Sequence, residues 1–266
     1  PINMGTLELG IPAGIGDVAL NPIERAKKLT DNTRTANFLS SVWGEYRILK
    51  VLKFKTLFGY DYRQNNYEYF LPASVSSLNA NAARAQGRAN TNNNTLWSWQ
   101  NFLTYDHVLQ NHHLNIVVGQ SMQRSNTFSA GLRADGWASD QITTLNVAAT
   151  PTLASTTSSA YANASLFGRV SYVFNDKYLI NGSLRYDGSS RFGSDNKWGL
   201  FPAISAGWKI NKETFMEGIP WLSLLKIRAS WGRAGNDQIG NYEYLSLLSV
   251  DYYSLNGTKV FGTAPG

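Results

Sequence analysis

Apolar and polar residues alternate with a period of two along much of this chain, most clearly over residues 164–210. Leu166, Gly168, Val170, Tyr172 and Phe174 fall on one parity, and Arg169 and Ser171 on the other. After Asn175-Asp176-Lys177 the pattern resumes, with Tyr178, Ile180, Leu184 and Tyr186 against Asn181, Ser183, Arg185 and Asp187. A third run sets Trp198, Leu200, Ile204, Ala206, Trp208 and Ile210 against Ser205, Gly207 and Lys209. Side chains alternate sides along a strand, so this period predicts strands whose two faces meet different surroundings.

The same reading places further strands at 36–48, 52–69, 95–107, from His113 onward, and 225–233. In the first, Phe38, Val42, Tyr46 and Ile48 oppose Glu45 and Arg47. In the second, Leu52, Phe54, Phe58, Tyr60 and Tyr62 oppose Lys53, Lys55 and Asp61. In the third, Trp97, Trp99, Leu103 and Tyr105 form an apolar row that Asn101 interrupts, and Leu114, Ile116 and Val118 open the next. The final strand sets Leu225, Ile227, Ala229 and Trp231 against Lys226, Arg228, Ser230 and Gly232. The stretches 70–94 and 129–160, rich in Asn, Ala, Ser and Thr, read as long loops, as do GSSRFGSDNKW and 234–266. Phe215, Met216, Ile219 and Trp221 suggest a short helical turn within 211–225.

Alternation alone does not distinguish a soluble sandwich from a membrane barrel, since both have one greasy face. Three features favour the barrel. The best-patterned strands run about 10 to 12 residues, enough to cross a bilayer when tilted. Tyr178, Tyr186, Trp198 and Trp208 sit near strand ends, as in an interfacial girdle. Short and long connections also take turns, as in outer-membrane barrels. The expected fold is therefore all-β, an antiparallel up-and-down transmembrane β-barrel segment of about eight strands. Lys53, Arg169, Arg185, Asp187, Lys226 and Arg228 would then face the lumen.

Composition fits this picture. Only 16% of the 266 residues are charged, while aromatics reach 13%. Mean hydropathy is −0.27, as expected where every second residue meets water. With no cysteine, disulfide frameworks and thiolate metal sites are excluded. The net charge of +6 comes from scattered lysines and arginines. No basic stripe with interleaved stacking aromatics accompanies them, which argues against nucleic acid as a partner.

Candidate chemistry is sparse. His107, His112 and His113 cluster, but adjacent strand residues point to opposite faces, so a metal centre is not expected. Asp195-Asn196 lacks the spacing of a calcium loop. No nucleophile elbow or Ser/His/Asp arrangement marks an enzyme. Arg84 and Arg88 read as solvated loop charges. Trp137, Tyr242 and Tyr244 are candidate ligand contacts on loops, although packing of Trp137 against its neighbours is the plainer reading.

Four runs carry a resemblance. LFGRVSYVFNDKYLINGSLRYDGSSRFG, KWGLFPAISAGWKI and LKIRASWGRAGNDQIGNYEYL, in this order and spacing, resemble the barrel of SusC/RagA-type TonB-dependent transporters of Bacteroidetes outer membranes. The run NPIERAKKLTDNTRTANFLSSVWGEYRILKVLKFKTLFGYDY is similar to the same family. The resemblance implies a bacterial outer-membrane location, uptake of glycans or peptides and no cofactor. It also implies three partners: a SusD-like surface lipoprotein, the membrane lipid, and a TonB complex acting through a plug domain absent from this chain. No signal peptide opens the sequence, and it reads as an internal piece. It divides into a lead-in loop (1–35), a partial barrel (36–233) and a truncated extracellular loop (234–266). A passive porin-like barrel and a soluble all-β carbohydrate-binding module are the alternatives.

Overall fold

The computed structural model describes residues 22–76, 84–219, 221–245, 248–256 and 258–265. A short helix, α1 (Pro22–Lys28), precedes eight strands: β1 (Thr30–Leu49), β2 (Leu52–Leu71), β3 (Gln86–Leu109), β4 (His112–Asp135), β5 (Thr150–Phe174), β6 (Tyr178–Ser189), β7 (Trp198–Lys209) and β8 (Lys226–Gly232). They form one sheet in the order β1-β2-β3-β4-β5-β6-β7-β8. Each strand pairs with its neighbour in sequence, which is an up-and-down meander. β9 (Leu248–Leu255) and β10 (Thr258–Pro265) form a separate antiparallel hairpin.

Short turns reverse the chain between β1 and β2, β3 and β4, and β5 and β6. Two of them use left-handed backbone: Gln110 has φ 51°, and Asn175 and Asp176 have φ 54° and 53°. Asn and Asp tolerate this conformation because their short polar side chains bond locally. The expected helical turn after β7 is present as 3-10 turns at Ile210–Lys212 and Thr214–Met216.

Several strands outrun the expectation. β3 has 24 residues and β5 has 25, each about 80 Å at ~3.3 Å per residue. Much of 70–94 and 129–160, expected as loop, is strand. β1 starts at Thr30, inside the expected lead-in. The β9–β10 hairpin lies in 234–266, also expected as loop. Residues 1–21 and 77–83 of these stretches lie outside the described residues.

The chain divides into two compact units. Among the described residues, the first holds 22–39, 61–76, 84–95 and 126–159. Here hydroxyl and amide side chains bond across neighbouring strands: Thr35 to Asn65 (2.8 Å), Thr91 to Asn66 (3.0 Å), Asn92 to Ser129 (2.7 Å) and Asn94 to Thr127 (2.8 Å). These ladders let poor strand formers hold strand geometry, because cross-strand pairs are the unit of sheet stability. Phe70, Leu71, Val75, Ala85 and Ala134 form a small buried cluster. Asp140 accepts from the Ala73 amide at 3.0 Å and the Ser74 hydroxyl at 3.0 Å, capping the turn over that cluster.

Among the described residues, the second unit holds 40–60, 96–125, 160–219, 221–245, 248–256 and 258–265. Leu166 pairs with Tyr186, which pairs with Leu200. Tyr172 pairs with Ile180, which pairs with Ala206, which pairs with Ala229. Paired residues in an antiparallel sheet share a side. The apolar rows of β5 to β8 therefore lie on one face and the polar rows on the other, as the alternation predicts. Ile180, Leu184, Ile204 and Ile227 are 51%, 49%, 57% and 58% exposed, so this apolar face is not the inside of a packed body.

Replacing Asn175 by Ala should cost roughly 1 to 2 kcal/mol, the left-handed penalty for a residue with a Cβ and no local bond. Asn175→Gly should cost much less. Guanidinium unfolding of the full-length protein in detergent measures both.

Candidate functional site

Five of the six expected lumen residues share the polar face of β5 to β8 by register. Arg169 is opposite Ser183. Arg185 stands between Phe167 and Phe201, and Asp187 between Ser165 and Gly199. Arg228 is opposite Gly207, and Lys226 opposite Lys209. Aromatic contacts carry the same face to earlier strands. Phe167 meets Phe102 at 5.7 Å between ring centroids and covers Gly119. Two residues on from Phe102 and two again is Asp106, which is an electrostatic neighbour of Lys53. Lys53 also meets Glu45 at 3.5 Å. The sheet thus gathers all six on one side.

Their partners differ. Arg185 donates to Asp187 from Nε at 3.2 Å and Nη2 at 3.1 Å, and to Ser165 at 3.3 Å. Its guanidinium lies 5.1 Å from the Phe167 ring centre. This fork is charge-assisted and holds Arg185 in one orientation. Arg169, Lys226 and Arg228 have no ion pair among the described residues. The polar face of β5 to β8 is therefore net cationic.

Near the far end of these strands lies a cleft of about 610 Å³ whose lining includes Asn163, Arg185, Asp187, Phe201, Arg233 and Asp237. The segment after β8 builds one side of it. Arg191, between β6 and β7, donates to the Asp237 carbonyl at 2.9 Å and to Asn241 at 3.0 Å, and stacks 4.2 Å from the Tyr161 ring centre. Asn163 donates to the Asp237 carboxylate at 2.9 Å, and the Tyr242 hydroxyl accepts from the Ala160 amide at 3.0 Å. Gly235 is seated on the Phe201 ring with no space for a Cβ. Sequence reasoning missed Arg191. Its only signal was that SSRFG and GNDQIGNYEYL both carry the family resemblance, with nothing to say that they touch.

The three loop aromatics separate. Trp137 packs edge-on against Phe70 at 5.3 Å, and its indole N–H donates to the Thr144 carbonyl at 3.1 Å, so it fastens the loop. Tyr242 spends its hydroxyl on Ala160. Tyr244 lies beside Gly193 and keeps an exposed ring. His112 stacks on Tyr172 and shares a 2.6 Å hydrogen bond with it, while His113 meets Asp106 at 3.3 Å. The two rings serve opposite faces.

A second polar knot ties the turn end of β5 to β7. Glu213 accepts from the Trp208 indole at 2.9 Å, the Tyr178 hydroxyl at 2.8 Å and Lys177 at 3.1 Å. These donors hold its carboxyl down at about 2. Lys209, at 2.5 Å, and Lys212 donate to Asp176 and hold it at about 2 as well. Sequence reasoning missed Glu213 and Asp176 too, because each partner set is assembled from separate connections.

An antiparallel sheet with one exposed apolar face, one cationic polar face and aromatics tied at its turn end is the wall of a membrane β-barrel. The profile of the family described as "TonB dependent receptor-like, beta-barrel" matches residues 12–263. The chain is 34% identical over 244 residues to TonB-dependent receptor P39 of Formosa agariphila, covering 89% of this chain and 23% of that protein. It is 38% identical over 78 residues to TonB-dependent receptor SusC of Bacteroides thetaiotaomicron, covering 25% of this chain and 8% of that protein. Among solved structures, the RagAB peptide transporter shares the fold at TM-score 0.82 and 23% identity, covering 92% of this chain and 27% of that one. The chain belongs to the TonB-dependent receptor β-barrel family and is of the SusC/RagA type. Its relatives are outer-membrane transporters rather than enzymes, and the outer membrane is its location. It spans about a quarter of the curated relatives it matches over most of its length.

Two outcomes test the knots. Arg191→Ala should open the 234–245 segment at least tenfold more often, since bonds to charged groups contribute about 1.5 to 3 kcal/mol. Hydrogen exchange of those amides reads this. Glu213 has its pKa lowered by folding, so its contribution is complete above the unfolded value near 4.5 and fades as pH falls toward 2. The melting temperatures of wild type and Glu213→Gln should therefore differ at neutral pH and converge near pH 2.

Proposed function

We propose that this chain forms part of the wall of a transporter that imports glycans or peptides across the outer membrane. In this reading the apolar face meets lipid tails. Lys53, Arg169, Arg185, Asp187, Lys226 and Arg228 look into the passage. Residues 36–233 make the wall, 1–35 lead into it, and 234–266 lie on the extracellular side. The observation that carries the reading is the separation of faces: Ile180, Leu184, Ile204 and Ile227 exposed on one, Arg169, Arg185 and Arg228 on the other. A soluble module would bury that apolar row against a second layer.

A TonB complex, acting through a plug elsewhere in the protein, would supply the energy, and a SusD-like lipoprotein would meet the extracellular side. RagAB's description as a peptide transporter supports a peptide cargo, and the resemblance to SusC leaves glycans equally open. A wall segment needs no cofactor for this role. Tyr244, with its exposed ring, is the best placed of the three loop aromatics to touch cargo.

Ile204 and Ser205 are adjacent and face opposite ways. A charge facing lipid at mid-bilayer costs about 2 to 4 kcal/mol. In the full-length protein, Ile204→Arg should therefore lower the yield of heat-modifiable, protease-resistant barrel, while Ser205→Arg leaves it near wild type. Equal tolerance at both positions would refute the lipid-facing assignment.

A further inference from the structure

One register runs through the extensions of β3 and β4. Asn94 meets Thr127 and Asn92 meets Ser129. Asn90 sits against Gly131, its oxygen 3.2 Å from where a Cβ would stand. The Gly136 amide donates to the Ala85 carbonyl at 2.9 Å. All four contacts belong to the same pairing, which sets Arg88 directly opposite Arg133. Direct antiparallel partners project from the same side of a sheet, and like charges so placed repel.

Both arginines are half-buried. The Nε of each is hidden from solvent with no acceptor. The Arg88 guanidinium carbon lies 5.3 Å from the Tyr69 ring centre, and Arg88 is also an electrostatic neighbour of Tyr67. Neither arginine makes an ion pair among the described residues. Asp135 follows two positions after Arg133 on the same face; its Oδ1 is likewise buried without a hydrogen-bond partner, and it makes no ion pair with either arginine among the described residues. Two arginines placed opposite each other, each with one N–H withdrawn from solvent and no acceptor for it, are unfavourable on their own. A single oxyanion removes both penalties: it accepts from two planar forks at once and cancels the repulsion.

We propose that Arg88 and Arg133 form a binding site for the oxyanion of a solute, a carboxylate or a sulfate ester, on the strand extensions. The inference rests on the transporter reading only in taking that solute to be cargo. Both residues sit in stretches that composition alone assigned to loops, where Arg88 was one solvated charge among others. Pairing is what gives it a partner of the same sign.

The test is titration calorimetry of the full-length transporter in detergent, with sodium sulfate, sodium galacturonate and galactose as probes. Wild type should bind one or both anions and show no arginine-dependent binding of galactose. Arg88→Gln and Arg133→Gln should each weaken anion binding roughly tenfold, the effect of losing one charge-assisted bond. Arg88→Lys, which keeps the charge but not the fork, should weaken it by less, and it reads the site even if a glutamine variant folds poorly. A response to sulfate alone or galacturonate alone supports the site and separates its two sources. Absence of binding by either anion, or binding unchanged in Arg88→Lys and in the double glutamine variant, overturns it. The measurement needs neither TonB nor uptake. Failed uptake with intact anion binding would count against the transporter reading, and lost binding with intact uptake against the site.

Discussion

The constraint on which this structure depends is that a strand has two sides and successive residues take them in turn. Once β5 to β8 are in register, every second residue is committed to one environment. The rows Leu166–Phe174, Tyr178–Tyr186, Trp198–Trp208 and Ile227–Trp231 carry no charge. The opposite rows carry Arg169, Arg185, Asp187, Arg228 and Lys226. A slip of one residue in any strand would reverse its assignment, so the pairing and the solvent preference enforce each other. Glycines on the polar face extend this logic. Phe167 lies over Gly119 and Phe201 over Gly199, so large rings pack flat where neighbours offer no Cβ.

The ends of the second unit show a different economy. Where the alternation stops, charge reappears in fixed knots instead of a scattered surface. Glu213 gathers an indole, a phenol and an ammonium. Asp176 takes two lysines, and Arg191 takes a carbonyl and an amide. Each knot draws its members from a connection and from strand ends or connections elsewhere in the sequence, so the connections and the strands beside them brace one another.

How much of this was legible in the sequence follows from the range of each interaction. The faces of β5 to β8 could be read because period-two alternation is local. The extensions of β3, β4 and β5 could not. Asn, Ser and Thr have low strand preference alone, and what supports them is a partner on the next strand, such as Ser129 for Asn92. The knots were illegible for the same reason: Arg191 and Asp237 are 46 residues apart, and Lys177 and Glu213 are 36 apart. Trp137 was correctly suspected of packing, since a lone aromatic in a polar loop has more to gain from Phe70 than from water.

The central claim is that one row of each strand touches hydrocarbon. Spin labels placed singly at each position from Leu200 to Trp208 of the full-length protein in bilayers test it directly, using relaxation by dissolved oxygen and by a water-soluble nickel chelate. The account predicts oxygen accessibility peaking at Leu200, Ile204 and Ala206 and falling at Ala203, Ser205 and Gly207. Accessibility without that alternation, or with its phase reversed, would contradict it.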